Sequence, residues 1–278
     1  MTVATRIEGS VVRTARPAPP KSARPFHASL LDAPWIGLIS PLLLLFAWWW
    51  VTKAGLFSPQ LLVSPGQVLD TAIDLAQGGE LADHVGVSLV RLFTGFAAGA
   101  VLGIAFGALI ALSNTAERYT APLFQVLRQL PTVALIPMFI LIFGVGETFK
   151  VFIVMKATFF VVALATYDGI RNIPKGYFDV GRLYQLPVGL RFSAILFPAT
   201  VPALLTGIRI GLSRSWLVLV GAELLAAESG IGQMMEMSRQ IFRMDVVMVG
   251  VILTGLIGFL LDRSLRLLEW WLMRWRRA

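Results

Sequence analysis

Long uncharged runs bounded by ions dominate the chain. Ala33–Thr52 lies between Asp32 and Lys53, Leu92–Ala116 between Arg91 and Glu117, and Gln129–Gly146 between Arg128 and Glu147. A helix needs about 20 mostly apolar residues to cross hydrocarbon, so each run is near spanning length. Three interrupted runs complete the set: Phe149–Tyr167 around Lys156, Phe192–Ala222 around Arg209 and Arg214, and Val246–Leu261 between Asp245 and Asp262. The pattern predicts an all-α membrane protein of about six transmembrane helices.

Composition agrees with that pattern. Of 278 residues, 56 % are hydrophobic and only 14 % charged, against roughly a quarter charged in a soluble domain. The net charge of +8 does not suggest nucleic acid, because the basic residues are scattered between apolar runs instead of forming one face. The absence of cysteine and the presence of only two histidines exclude a disulfide framework, a thiolate metal site and a His-rich one.

Basic residues set the orientation. With both termini cytoplasmic, the inner segments carry Arg6, Arg13, Arg16, Lys21 and Arg24, then Arg118, then Arg171, Lys175, Arg182 and Arg191, and finally Arg263, Arg266, Arg274, Arg276 and Arg277. The outer segments carry only Lys53, Lys150, Arg239 and Arg243. Residues 1–33 lack an apolar signal-peptide core and read as a disordered basic cytoplasmic arm. Residues 34–278 form the transmembrane domain, with Trp48, Trp49, Trp50, Trp270, Trp271 and Trp275 near span ends, where the headgroup layer favours them.

Gly95, Gly99, Gly103 and Gly107 recur every fourth residue and predict a stripe where another helix approaches closely; Gly207 and Gly211 repeat the spacing. Pro122, Pro131, Pro137, Pro198 and Pro202 mark helix starts, kinks or stops. The outer loop after the first span holds a short amphipathic segment, QVLDTAIDLAQ, stopped by Gly78–Gly79. The inner loop 171–195 combines basic residues with Tyr177, Phe178, Val180, Leu183, Tyr184 and Leu186. At helical spacing Tyr177, Val180 and Tyr184 form a stripe, the signature of a short helix that docks into a partner's groove or lies on the membrane.

From about Leu42 to Trp275 the chain resembles permease subunits of binding-protein-dependent ABC transporters, in the aliphatic sulfonate, taurine and nitrate branch. Segments that carry the resemblance include LRQLPTVALIPMFILIFGVGETFKVFIV, FPATVPALLTGIRIGLSRSW and GAELLAAESGIGQMM. The cytoplasmic motif of such permeases, E-A-A-x3-G-x9-I-x-L-P, falls on Asp179, Val180, Gly181, Gln185, Ile195, Phe197 and Pro198 with its spacing kept. Asp179 is shorter than the family's Glu, and Gln185 stands where the family has Gly. The resemblance implies a MetI-like permease bundle in the bacterial inner membrane. It further implies a homodimer, two cytoplasmic ATPase subunits and a periplasmic binding protein. Tyr177, Asp179, Val180, Gly181, Tyr184, Gln185 and Pro198 would couple to the ATPase, where ATP and magnesium are bound.

The chain itself carries no G-x4-G-K-[ST] phosphate loop, no H-E-x-x-H and no G-x-S-x-G, so an enzyme is not expected and neither is a cofactor. Ionisable residues within a span usually face a bundle interior or water. Arg209 and Arg214, with Ser213 between them, are therefore candidates for an anion pathway, as are Glu223 and the outer polar edge of Ser88 and Arg91. Lys156 needs a partner that the sequence does not name. A channel or secondary carrier is the rival class, but the two halves show no matching pattern of broken helices.

Overall fold

The computed structural model describes residues 36–58 and 61–274. The basic arm predicted for 1–33 and the C-terminal residues from Trp275 lie outside them. The chain divides into two units, Met1–Trp48 and Trp49–Ala278. Helix α1, Ile36–Lys53, is apolar throughout and contains Pro41. In the segment predicted as an outer loop, α2 (Pro65–Gln77) starts from a capping box: Ser64 accepts from the Gln67 backbone while the Gln67 side chain reaches back. Val68 is buried, and Thr71 bonds Asp245 at 3.0 Å.

The bundle is then built from α3 (Glu80–Leu112), α4 (Asn114–Gln129), a 3-10 turn (Thr132–Leu135), α5 (Ile136–Phe143) and α6 (Glu147–Arg171). The loop after α6 holds α7 (Lys175–Leu183) and α8 (Val188–Arg191), followed by a π-helical turn, Phe192–Leu196. The last elements are α9 (Phe197–Ala226), α10 (Ile231–Gln240) and α11 (Met244–Leu272). Among the described residues, four continuous segments are long and apolar enough to cross a membrane: α3, α6, Val188–Ala226 and α11.

The run Gln129–Gly146 does not form the straight span that its hydropathy predicts. The chain breaks at Leu130–Pro131, and α5 has only eight residues, about 12 Å of helix. Crossing here needs α4 as well, and the two pieces meet at 89°. Pro131 lacks a donor and restricts the residue before it, which places Leu130 in an extended conformation. Lys156 answers the break: its ammonium lies 3.4 Å from the freed Leu130 carbonyl and 3.3 Å from the Thr132 hydroxyl. That is the partner the sequence left unnamed.

Because α4 and α5 return the chain, α3 and α6 run parallel. Gly95, Gly99, Gly103 and Gly107 meet α6 one turn at a time, in constant register. A Cβ on Gly95 would sit 2.6 Å from the Val151 carbonyl oxygen, and one on Gly99 2.5 Å from that of Met155. Hydrogen there lets the backbones touch. On its other side α6 packs antiparallel to α9, where Gly207 meets Ala165 and Gly211 meets Val162. Thr158 and Ser215 share a 2.6 Å hydrogen bond across the pair. The core between these helices contains Leu92, Phe149, Ile153, Trp216, Leu219 and Ile231. The Trp216 indole N–H donates to the Thr254 carbonyl at 3.0 Å and so joins α11 to α9.

Candidate functional site

Three regions contain the residues singled out from the sequence. At the expected outer end, Arg91 is 2 % exposed and Glu223 1 %. Arg91 donates to Glu223 (2.9 Å), to both carboxylate oxygens of Glu147 (2.5 and 2.6 Å), and to the backbone and side chain of Ser229 (2.7 and 2.8 Å). Those contacts use all five of its N–H groups. The Ser88 hydroxyl donates to Glu223 at 2.8 Å and accepts from the Ile231 N–H at 3.0 Å, while the Gly232 N–H donates to Glu223 at 3.1 Å. His84 accepts from the Gly230 N–H at 3.2 Å.

The GAELLAAESGIG segment makes this possible. Gly230 has φ 108°, and a Cβ there or on Gly232 would collide with the Glu223 side chain. The turn between α9 and α10 thus folds back over its own glutamate, and Arg91 ties both to α3 and α6. Arg239 and Arg243 pair with Glu236 and Asp245, and not with Glu223. The hydrogen bonds from Arg239 hold the Glu236 carboxyl down at about 2.

Within the span, Arg209 and Arg214 diverge around α9 as their five-residue spacing requires. Arg209 is half-buried against α11, 3.8 Å from Asp262 and 3.4 Å from Glu269. Arg214 lines a cavity of about 580 Å³ between α4, α6 and α9, together with Arg128, Gln129, Phe160, Asp168 and Thr206. Arg128 served only as a boundary mark in the sequence; the break at Pro131 is the signal that its helix ends one residue beyond it. Ser213 is half-buried beside Arg214.

At the expected cytoplasmic end, α7 leaves Tyr177, Val180, Leu183 and Tyr184 exposed, by 60, 55, 79 and 74 %. Gly181 faces inward, where a Cβ would stand 3.1 Å from Ile195. The helix ends in a Schellman motif: the Leu186 N–H donates to the Gly181 carbonyl, and the Gln185 N–H to that of Arg182. Gln185 consequently has φ 51°, a left-handed conformation that favours glycine. Asp179 is exposed, 3.9 Å from Arg182. Pro198 and Tyr177 line a second cavity, also about 580 Å³, which shares Asp168 and Ala203 with the arginine-lined one.

Comparison with known proteins agrees with this architecture. The putative aliphatic sulfonates transport permease proteins of Bacillus subtilis (strain 168) and Escherichia coli (strain K12) are 36 and 37 % identical to the chain. The matches cover 87 and 88 % of this chain, and 88 and 92 % of those proteins. The crystal structure of an amino acid ABC transporter superposes with a TM-score of 0.58 at 14 % identity, over 75 % of this chain and 98 % of that one. Residues 88–274 match the family described as binding-protein-dependent transport system inner membrane component. The chain belongs to that family of ABC importer permeases, non-catalytic subunits of the inner membrane.

Proposed function

We propose that this permease carries small aliphatic sulfonates inward as one half of a homodimer. It has six spans and cytoplasmic termini, receives its substrate from a periplasmic binding protein, and is driven by two ATPase subunits that bind ATP and magnesium. α7 is the coupling helix. Its Tyr177, Val180 and Tyr184 enter the ATPase groove, Asp179 and Gln185 flank the contact, and Gly181 and Pro198 seat the helix on the bundle. Arg214 and Ser213 line the pathway, with Arg209 beside them held by α11. The clamp of Ser88, Arg91 and Glu223 fixes the outer ends of the helices that must move together. The Gly95–Gly107 stripe keeps α3 and α6 moving as one body.

The observation that carries this reading is the pair of adjoining cavities, which run along α6 and α9 from Tyr177 to Arg214 and share Asp168 and Ala203. A displacement of α7 acts directly on the wall of the path that holds the cation. Taurine and nitrate are the alternative substrates within the same branch.

The test is to purify the chain with its neighbouring ATPase in nanodiscs and measure ATP hydrolysis with binding proteins loaded with an alkanesulfonate, taurine or nitrate. Stimulation by the alkanesulfonate-loaded protein is the expected result. Val180→Glu should release the ATPase while the membrane part stays folded. Unchanged ATPase association and uptake in that variant would remove α7 from the coupling role.

A further inference from the structure

Arg128 and Arg214 differ from Arg91, Arg209 and Lys156. Arg91 is fully bonded, Arg209 faces two acids, and Lys156 holds the broken helix. Among the described residues neither Arg128 nor Arg214 has a hydrogen-bond or ion-pair partner, yet both line one cavity.

Their depth follows from packing on α6. Ser215 bonds Thr158, which fixes Arg214 one residue away at that level. Phe124, one helical turn before Arg128, stacks on Phe160 with ring centroids 5.2 Å apart, and Lys156 holds Leu130 just after it. Arg128 and Arg214 therefore flank residues 156–160 of α6, which lie about 14–20 Å from its outer end at 1.5 Å per residue, near the middle of a hydrocarbon core about 30 Å thick. Asp168, the one acid in the lining, is ten residues beyond Thr158, about 15 Å farther along the helix. A guanidinium without an acid at that depth needs water or an anion.

The rest of the lining has the character of a binding site for an anion with a carbon tail. Gln129 supplies a polar group, while Phe160, Val161, Leu164 and Ile210 form an apolar wall. The volume of about 580 Å³ lies within the usual range for small-molecule sites. We propose that Arg128 and Arg214 form a mid-membrane site for small organic sulfonates: the two guanidinium forks hold the sulfonate oxygens, and the apolar wall takes the alkyl chain. The proposal rests on the importer reading and adds to it a specificity inside the permease itself, independent of the binding protein. The apolar wall distinguishes alkanesulfonates from nitrate, which has no tail to bury. Each added methylene that enters the wall should tighten binding by up to about fourfold.

The test is direct binding of ethane-, butane- and hexanesulfonate and of nitrate to the complex of chain and ATPase in nanodiscs, without binding protein, by calorimetry. Expected are binding that tightens along the alkanesulfonate series, nitrate weaker than all three, and at least a tenfold loss in Arg128→Gln and in Arg214→Gln. Arg214→Lys should recover part of that loss by restoring charge without the fork. Co-elution with the ATPase and thermal midpoints check that the variants are folded. No sulfonate binding by the wild type, or affinity within twofold of wild type in the folded double variant, overturns the site. Failure of the importer reading looks different: the wild-type complex would then show no ATP-dependent uptake with any loaded binding protein, whatever the calorimetry gives.

Discussion

Replacing Arg91 by alanine tests whether its network with Glu147 and Glu223 is a structural clamp. The substitution removes five hydrogen bonds but leaves two unlike carboxylates. Glu147 has 62 % of its side chain exposed and keeps Lys150 at 3.0 Å, so its share of the loss is that of a surface pair, up to about 1 kcal/mol. Glu223 has no side-chain exposure and retains only Ser88 and the Gly232 N–H. Removing one partner of a buried pair costs about 3–5 kcal/mol, and the two surviving donors place Arg91→Ala at the lower end of that range. Glu223→Gln is milder at about 1–3 kcal/mol, because the amide turns a donor toward groups that already donate. Glu147→Gln should cost no more than about 1 kcal/mol.

At roughly 2–4 °C per kcal/mol for a chain of this size, Arg91→Ala should lower the thermal midpoint by about 6–12 °C and Glu147→Gln by less than about 4 °C. Light-scattering midpoints of the nanodisc complex resolve that difference. In a double-mutant cycle, Arg91→Ala with Glu223→Gln should fall short of the summed losses by about 0.5–3 kcal/mol. Equal shifts from Arg91→Ala and Glu147→Gln would refute the ranking by burial. A stable Arg91→Ala complex that still loses sulfonate uptake would return Arg91 to the transport path.

Two further substitutions probe the packing and the coupling helix. Gly99→Leu should prevent α3 and α6 from meeting, since even a Cβ would stand 2.5 Å from the Met155 carbonyl oxygen; the same change at Gly86, which has open space around it, should be tolerated, and yields of folded complex separate the two. Gln185→Gly should relieve a left-handed strain of about 1–2 kcal/mol and raise the midpoint by a few degrees, whereas Gln185→Val should lower it. Equal midpoints for the two would show that the end of α7 adapts its backbone to the side chain.

The four long spans, the amphipathic helix Pro65–Gln77, the glycine spacing and the helix Lys175–Leu183 with its exposed apolar side chains were legible in the sequence. Hydropathy and periodicity are properties of contiguous residues. The course of residues 129–146 was not, because Pro131 permits either a kinked span or a break, and the outcome depends on Lys156 being placed to hold the freed Leu130 carbonyl. For the same reason the parallel course of α3 and α6 was hidden: the glycines announce a close neighbour without naming it. The left-handed turn at Gln185 was masked by its residue type, since glutamine is not expected there. Its one trace was the glycine that related permeases carry at that position.

Charge in the membrane shows where sequence stops. Arg91, Arg128, Arg209 and Arg214 all interrupt or border apolar runs, and each in isolation carries the same cost of about 2.5–3.5 kcal/mol at the centre of a bilayer. What separates them is which side chains arrive from elsewhere in the chain. Glu147 and Glu223 meet Arg91 from sequence distances of 56 and 132 residues, and Asp262 and Glu269 meet Arg209 from α11. These pairings convert two costly cations into braces between helices. Among the described residues Arg128 and Arg214 receive no acid and face a cavity instead, so the energy that would compensate them must come from what fills it. In a permease, a pair of cations left uncompensated by the protein is where an anionic cargo has the most to gain in passing.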